Sequence, residues 1–592
     1  MGKGGQCRFL RSRTVPLLIG LLMVWLAGFA PVVAQQPEDP VQELRDLIRA
    51  QQARLDELEK QLQKQKPPSP PKEGDTPAEV STESPGKNDK PLPALGAAQP
   101  AKPAEGLDWT TENFIPPPAT RPVKDDGMLA VWGKDGRLTF KNEDKSTISR
   151  LGGFFQFDAG WYVVGQSVND QLNRPLEQGS DLRRARLRSD GYCYDNLEWV
   201  FEFDLSRAAD NNRNTNVNDN PNPNVMFNNV FIGVRDIPFF GVVRVGHIKE
   251  ELSFYSASSG RNIPFMERPA AWDGIEDPYL FDNGITVSNT YLDAFLYTWL
   301  GFFQTNTRTG AFTINPQGSY AFDVRACIMP IYEDEGRDWL NLGATGSFRG
   351  NPDGLSNNLP MVQASNVQPQ IRTGSSVQVP SLINPGNINT YDGTQLFTLC
   401  LNRGYGPWSF GAQYDGQYIG NAFFQQDITV GSLKKTIQAE IGNIYYQGAS
   451  FEIMRFLTAG DHRGVNKYAP SYLQVIPESN LSWGKNGREK GIGAWEVGFK
   501  YDFAQLEYYL PTQAPANSAE YIAMRNAAAL PGPRGGHLSA FTLGLNWYLN
   551  PNALIMANYV YTTGTFNAKG SESLSPFDGA FHSFGTRFQF VF

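Results

Sequence analysis

The sequence is poor in the residues that build chemical centres. Across 592 residues it carries only four cysteines and four histidines. Cys7, Cys193, Cys327 and Cys400 show no CxxC spacing, and His247, His462, His537 and His582 show no metal-ligand spacing. HExxH, nucleophile-elbow and phosphate-loop patterns are missing as well, so no metal, cofactor or catalytic residue is expected. His582 and Ser583 are adjacent, but neighbours on a strand point to opposite faces and cannot act as a hydrolytic pair. With an odd number of cysteines beyond Cys7, all cannot pair; they read as small apolar fillers, with one disulfide as the alternative. A net charge of -8 argues against a nucleic-acid binder. Beyond the N-terminus, no apolar run approaches the roughly 20 residues that a membrane helix needs.

The one long apolar run is VPLLIGLLMVWLAGFA, residues 15–30. It follows Lys3, Arg8, Arg11 and Arg13 and leads into the small residues PVVA, the pattern of a secretory signal over 1–34 cut after Ala34. An exported chain without membrane helices can enter a bilayer only as a closed barrel. Over 35–66, Val41, Leu44, Ile48, Gln51, Leu55, Leu58 and Leu62 fall at alternating three- and four-residue steps. This is a heptad seam with one polar core position, read as a short oligomerising coiled coil or as an amphipathic helix packed on another domain. From 67 to 126 the chain turns rich in Pro, Lys, Glu and Ala, as in KPPSPPKEGDTPAEV, and reads as an extended linker or as simple disorder.

From 127 to 592 the texture is one of short alternating strands broken by Gly, Asn and Pro. In the final FGTRFQFVF, Phe584, Thr586, Phe588, Phe590 and Phe592 share one face, and Gly585, Arg587, Gln589 and Val591 the other. FTLGLNWYL sets Phe541, Leu543, Leu545, Trp547 and Leu549 against Thr542, Gly544, Asn546 and Tyr548. AWEVGFKYDF sets Trp495, Val497, Phe499, Tyr501 and Phe503 against Glu496, Gly498, Lys500 and Asp502. A two-layer sandwich would accept this alternation too; the signal and the aromatic strand ends favour a transmembrane antiparallel β-barrel. Two polar stretches, Ala208 to Asn224 and Gly350 to about Asp392, read as external loops.

Several segments, in order, resemble the phosphate-selective porin O and P family: DGRLTFKNEDKSTISRLGGFFQFDAGWY, LRRARLRSDGYCYDNLEWVFEFDLS, VGHIKEELSFYSASSGRNIPFMERP, LTAGDHRGVNKY, GAWEVGFKYDF and LNWYLNPNALIMANYVY. The resemblance covers 127–592. It implies an outer-membrane homotrimer of barrels with about 16 strands, with a coiled coil often preceding each barrel. It also implies passive anion conduction through a lumen lined with Arg and Lys and narrowed by an inward-folded loop. Phosphate-specific members depend on dense lysine clusters, and here KNEDK and LKK are isolated. A general or differently selective porin therefore stands beside an anion channel for solutes such as phosphate, and the coiled coil could tether the barrel to another envelope layer.

The residues themselves mark two stretches of a candidate path. In LRRARLRSD, Arg184, Arg186 and Arg188 fall at two-residue spacing on one strand face; facing lipid each would cost about 2 to 4 kcal/mol, so they belong in the lumen. Arg183, in the opposite register, is expected at an interface or beyond the bilayer. The returning strand carries the counter-charges Glu202 and Asp204. A simple hairpin register sets Glu202 across from Arg184 and Glu198 across from Arg188, so the ladder is either a selectivity element or a wall-stiffening salt-bridge network. In GHIKEELSFYSASSGRNIPFMERP the alternation fails near Glu250. By the resemblance this is the constriction loop, which places Lys249, Arg261 and Arg268 near the narrow point among Glu250, Glu251 and Glu267. An external loop with solvated charges is the alternative.

Overall fold

The computed structural model describes residues 128–592 except 133–136, 143–144, 173, 207–224, 306–318, 351–359, 373–378, 431, 485–488, 512–518, 520–521, 523–531 and 568–575. The expected signal segment, coiled coil and Pro-rich linker lie outside the described residues, as does the stretch 208–224.

Alternation at period two makes strands here, and it does so sixteen times around one wall. In chain order these are β1 Ile148–Val164, β2 Gly179–Cys193, β3 Leu197–Asp204, β4 Met226–Ile237, β5 Gly241–Lys249, β6 Phe281–Tyr291, β7 Leu296–Gln304 and β8 Tyr320–Glu333. There follow β9 Asp338–Gly350, β10 Thr394–Tyr405, β11 Trp408–Val430, β12 Leu433–Phe456, β13 Ala494–Leu510, β14 Gly532–Asn550, β15 Ala553–Asn567 and β16 Pro576–Val591. Each pairs antiparallel with the next, and β16 returns to β1, from Phe581 opposite Val164 to Val591 opposite Phe154. The sheet is closed, which removes the sandwich alternative and leaves no unpaired edge within the barrel wall. The last residue completes the seam, because Phe592 and Gly153 exchange both backbone hydrogen bonds, at 2.7 and 2.9 Å. Ahead of β1, a hairpin of Met128–Trp132 and Leu138–Asn142 pairs onto the start of that strand.

Burial follows the alternation, with the usual sides exchanged. On β16, Phe584, Phe588 and Phe590 are exposed while Ser583, Arg587 and Gln589 are buried; on β14, Phe541, Leu543 and Leu545 are exposed and Thr542 and Asn546 buried. Ile232, Leu300, Phe302, Leu401 and Phe451 extend the exposed apolar band around the wall, and Glu496, Lys500 and Asp502 of β13 point inward. A band of this kind has no place in water and suits a bilayer. Leu543→Arg, on this outer face, is therefore expected to cost about 2 to 4 kcal/mol if it sits near the midplane. The urea midpoint of refolding into lipid vesicles would measure it.

Connections alternate between the two ends. At one end most are tight: Tyr194–Asn196, for example, joins β2 to β3 with positive φ at Tyr194 and Asp195, and Pro551–Asn552 joins β14 to β15. At the other end all but the turn from Val430 to Leu433 are longer, and one of them corrects the sequence reading. The described parts of 360–392 are not an external loop: Val367, Ile371, Leu382 and Ile383 are fully buried, Tyr162 Oη donates to the Ile371 carbonyl at 2.5 Å, and Asn567 N–H donates to the Leu382 carbonyl. Those apolar residues, scattered through a polar stretch, draw the loop inward.

Candidate functional site: an arginine-lined lumen narrowed by three inward segments

Glu250 to Leu280 joins β5 to β6, and every residue from Glu250 to Glu276 is buried. An external loop cannot bury so long a run, so the segment crosses the lumen. Ser253 starts a single helical turn, Phe254–Ala257, by accepting from the Ser256 N–H at 3.0 Å, and the chain re-enters the wall through turns at Trp272–Glu276 and Asp277–Tyr279. Irregular backbone inside a barrel must find partners, and here wall side chains supply them. Gln156 donates to the Gly260 carbonyl, Gln589 to that of Arg261, Asn546 to Pro264, Arg587 to Met266 and Lys500 to Glu267, at 2.5 to 3.2 Å. The wall also makes room. A side chain at Gly448 would strike Ala271, and one at Gly585 would strike Ile371 and Met266.

Acidic side chains fasten the loop to the far wall. Glu250 pairs with Arg349, Glu251 with Arg325 at 2.5 Å, and Tyr255 donates to Glu452. Glu276 accepts from Gln413 at 3.0 Å and from Ser256, and the same Gln413 amide reaches Asp415. Burial, with the Asp415 carboxylate beside it, holds Glu276 well above the usual carboxylate range. A second segment, the 457–493 connection, enters from the end where the other turns are short. Its Tyr472 N–H donates to Ser258 Oγ at 3.0 Å, Asn262 donates to the Tyr472 carbonyl at 3.0 Å, and Arg463 donates to the Asn262 carbonyl at 2.9 Å. The described parts of 360–392 form the third.

The arginine ladder lies on the lumen side of β2, four residues away from the hairpin register expected. The tight turn at Tyr194–Asn196 sets Arg188 opposite Glu202 and Arg186 opposite Asp204; Glu202 does not face Arg184, and Glu198 lies across from Tyr192. Arg186 reaches Asp204 at 3.0 Å and Glu202 at 3.2 Å, and Arg188 reaches Glu202 at 3.1 Å and Asp190 at 3.0 Å. Asp190 also takes Arg137 and Arg150. Arg183 corrects the reading too. A bulge between Arg184 and Leu182 turns it inward, where it pairs with Glu267 at 2.8 Å instead of leaving the bilayer.

Glu267 of the constriction loop is the hub of this side. Around its carboxylate stand Arg183, Arg587 at 3.0 Å, Arg184 at 3.6 Å and Arg372 at 3.8 Å, from three separate parts of the chain. Burial alone would raise its pKa, but the arginines overcome that and hold it well below the ordinary carboxylate range. Arg587 is also bidentate on Asp158, and Arg372 pairs with Asp273. Along this side Arg137, Arg150, Arg183, Arg184, Arg186, Arg188, Arg372 and Arg587 outnumber Asp158, Asp190, Glu202, Asp204, Glu267 and Asp273. Where the loop docks on β8, β9, β11 and β12 the acids are more numerous, with Glu250, Glu251, Glu276, Asp323, Asp415 and Glu452 beside Arg325 and Arg349.

Residues 153–592 match the family described as phosphate-selective porin O and P. The chain belongs to that family. It is 22% identical to Porin O of Pseudomonas aeruginosa over 481 residues, covering 79% of this chain and 94% of that one. Among solved structures it is similar to an anion-selective porin from Comamonas acidovorans, at 10% identity and a TM-score of 0.39 over 75% of this chain and 100% of that one. It is also similar to the trimer form of OmpT, an outer membrane protein of Vibrio cholerae, at 10% identity and a TM-score of 0.39 over 76% and 100%. Membership makes this an outer-membrane porin.

In this porin the three loop cations part company. Lys249 donates to the Ser258 carbonyl at 3.2 Å; Arg268 donates to the same carbonyl at 2.8 Å and stacks over Trp272, so both brace the loop from within. Arg261 instead lines two small cavities, of about 10 and 20 Å³, each with room for about one water. The first is also lined by Arg137, Arg186, Arg188 and Glu202, the second by Asn262, Tyr548 and Gln589. Arg261→Ser is expected to merge these spaces, raising single-channel conductance while lowering anion preference, as planar-bilayer recordings would report. His582 and Ser583 point to opposite sides of the porin wall, Ser583 buried and His582 on Tyr559 Oη at 2.8 Å.

Proposed function

We propose that this porin lets small hydrophilic solutes, anions such as phosphate foremost, diffuse passively across the outer membrane. The observation that carries the proposal is the side of the lumen on which Arg137, Arg150, Arg183, Arg184, Arg186, Arg188, Arg372 and Arg587 outnumber their acidic partners. A wet lumen removes the desolvation cost of crossing, and lumen charge then sets which ion enters. Guanidinium groups meet oxyanions in a bidentate pose and remain charged at any relevant pH. In this reading Arg184, Arg186, Arg188 and Arg261 act on the permeating ion, with Glu202 and Asp204 as counter-charges, while Lys249 and Arg268 hold the loop in shape. A homotrimer is part of the proposal, and so is an envelope-tethering role for residues 35–122.

A second reading, a general porin without anion preference, is favoured by one feature: each ladder arginine already holds a carboxylate, and acids are more numerous where the loop docks on β8, β9, β11 and β12. The zero-current potential of the refolded protein under a KCl gradient, followed by phosphate titration of the chloride conductance, separates the two. An anion-selective sign with phosphate block supports the first reading. A potential near zero or of cation sign, without block, supports the second. Deleting 35–122 is expected to leave conductance intact.

A further inference from the structure

Cys327 on β8 and Cys400 on β10 are in register with the same residue of the strand between them, Gly343 on β9. All three belong to the inward-facing set of their strands, alternating with the exposed Phe322, Leu399 and Leu401. Both cysteines are free; Cys327 is buried and Cys400 half-buried. A Cβ at position 343 would lie 2.7 Å from Cys400 Sγ and 3.1 Å from Cys327 Sγ. The two thiols thus lean toward each other over the space that glycine leaves, and their sulfurs can be no further apart than the sum of those distances. Arg325, two residues from Cys327 on the same face, interacts with both.

This pair cannot readily become a disulfide. Strands lie about 4.8 Å apart, so Cα atoms separated by an intervening strand are roughly 9 Å apart. Bridging fails beyond about 7 Å. Gly343 is hydrogen-bonded into the sheet on both sides, and the wall cannot close over it. The dithiol should therefore persist even in an oxidising compartment, where most paired cysteines are consumed. A linear thiolate–metal–thiolate unit with bonds of about 2.3 Å spans about 4.6 Å, inside the limit set by the geometry. A donor set of two sulfurs, short of the four ligands that zinc takes, favours a soft two-coordinate cation over zinc or a hard divalent ion.

We infer that Cys327 and Cys400 form a two-coordinate site in the lumen wall for a soft monovalent cation of the Cu(I) class. On binding, each S–H bond gives way to an S–metal bond and the two protons pass to water. The resulting unit carries one negative charge, which the Arg325 guanidinium faces.

The test uses the full chain with Cys7→Ser and Cys193→Ser, refolded in detergent, and Ag(I) as the probe. The expected result is uptake of one tightly held Ag(I) per chain, with both remaining thiols protected from maleimide at that point. Cys327→Ser and Cys400→Ser should each abolish that uptake, and Gly343→Ala, which pushes the sulfurs aside, should weaken it. Absence of stoichiometric uptake by the parent protein, uptake of two ions that protect the thiols independently, or unchanged uptake without Cys400 would each overturn the inference. So would an intramolecular Cys327–Cys400 disulfide on mild oxidation. The parent titration decides the matter even where a variant does not fold.

Discussion

Glu267→Gln is expected to lower the stability of the refolded barrel and raise its anion preference in one step. The carboxylate is buried among Arg183, Arg184, Arg372 and Arg587, and its backbone carbonyl is held by Lys500. Asp158 and Asp273 remain to balance Arg587 and Arg372, so the uncompensated charge falls on Arg183 and Arg184. Breaking a buried pair by removing one partner costs about 3 to 5 kcal/mol, because the partner left behind is a desolvated charge. The amide also presents hydrogens to guanidinium donors. That strain should appear as an earlier loss of the folded, heat-modifiable form on gels, and the gained positive charge as a larger anion-selective zero-current potential. Adding Arg183→Met should recover much of the stability and return the potential toward the parent value, since the two residues couple directly. A variant matching the parent in both respects would mean that Glu267 does not set the field of the narrow zone.

How much of this was legible in the sequence depends on range. Period-two alternation is a local property, and it placed the lipid and lumen faces of β13, β14 and β16 residue by residue. The ladder's inward direction followed from the cost of arginine in lipid. Its partners did not, because register depends on where the turn closes: the positive-φ pair at Tyr194 and Asp195 moves the turn, and with it Glu202 from Arg184 to Arg188. A bulge is equally invisible to a strict alternation, which therefore puts Arg183 on the wrong face. The inward course of the described parts of 360–392 and 457–493 has a readable signal in Val367, Ile371, Leu382, Val465, Tyr472 and Val475, apolar residues set in stretches otherwise rich in polar ones. The Glu267 hub had none. Arg372 and Arg587 lie 105 and 320 residues from it in the chain, and only barrel closure brings them together.

Neutralising Arg186 and Arg188 together, as Arg186→Gln and Arg188→Gln, is expected to move the zero-current potential toward the cation-selective side and weaken phosphate block of chloride current. Glu202 then loses both guanidinium partners, and Asp204 loses the one that reaches it at 3.0 Å, while Asp190 keeps Arg137 and Arg150. Two positive charges leave a stretch that already lines a cavity with Arg261, so the change is felt where a solute must pass. A tenfold weakening of block corresponds to about 1.4 kcal/mol, less than one charge-assisted hydrogen bond to an ion can supply. Adding Glu202→Gln and Asp204→Asn separates the two readings of the ladder. If the arginines act on the ion, removing the facing acids restores charge balance and brings the potential part of the way back without restoring block. If the ladder only stiffens the wall, the double variant loses stability while its potential stays put, and the quadruple variant recovers that stability because no buried charge is left alone.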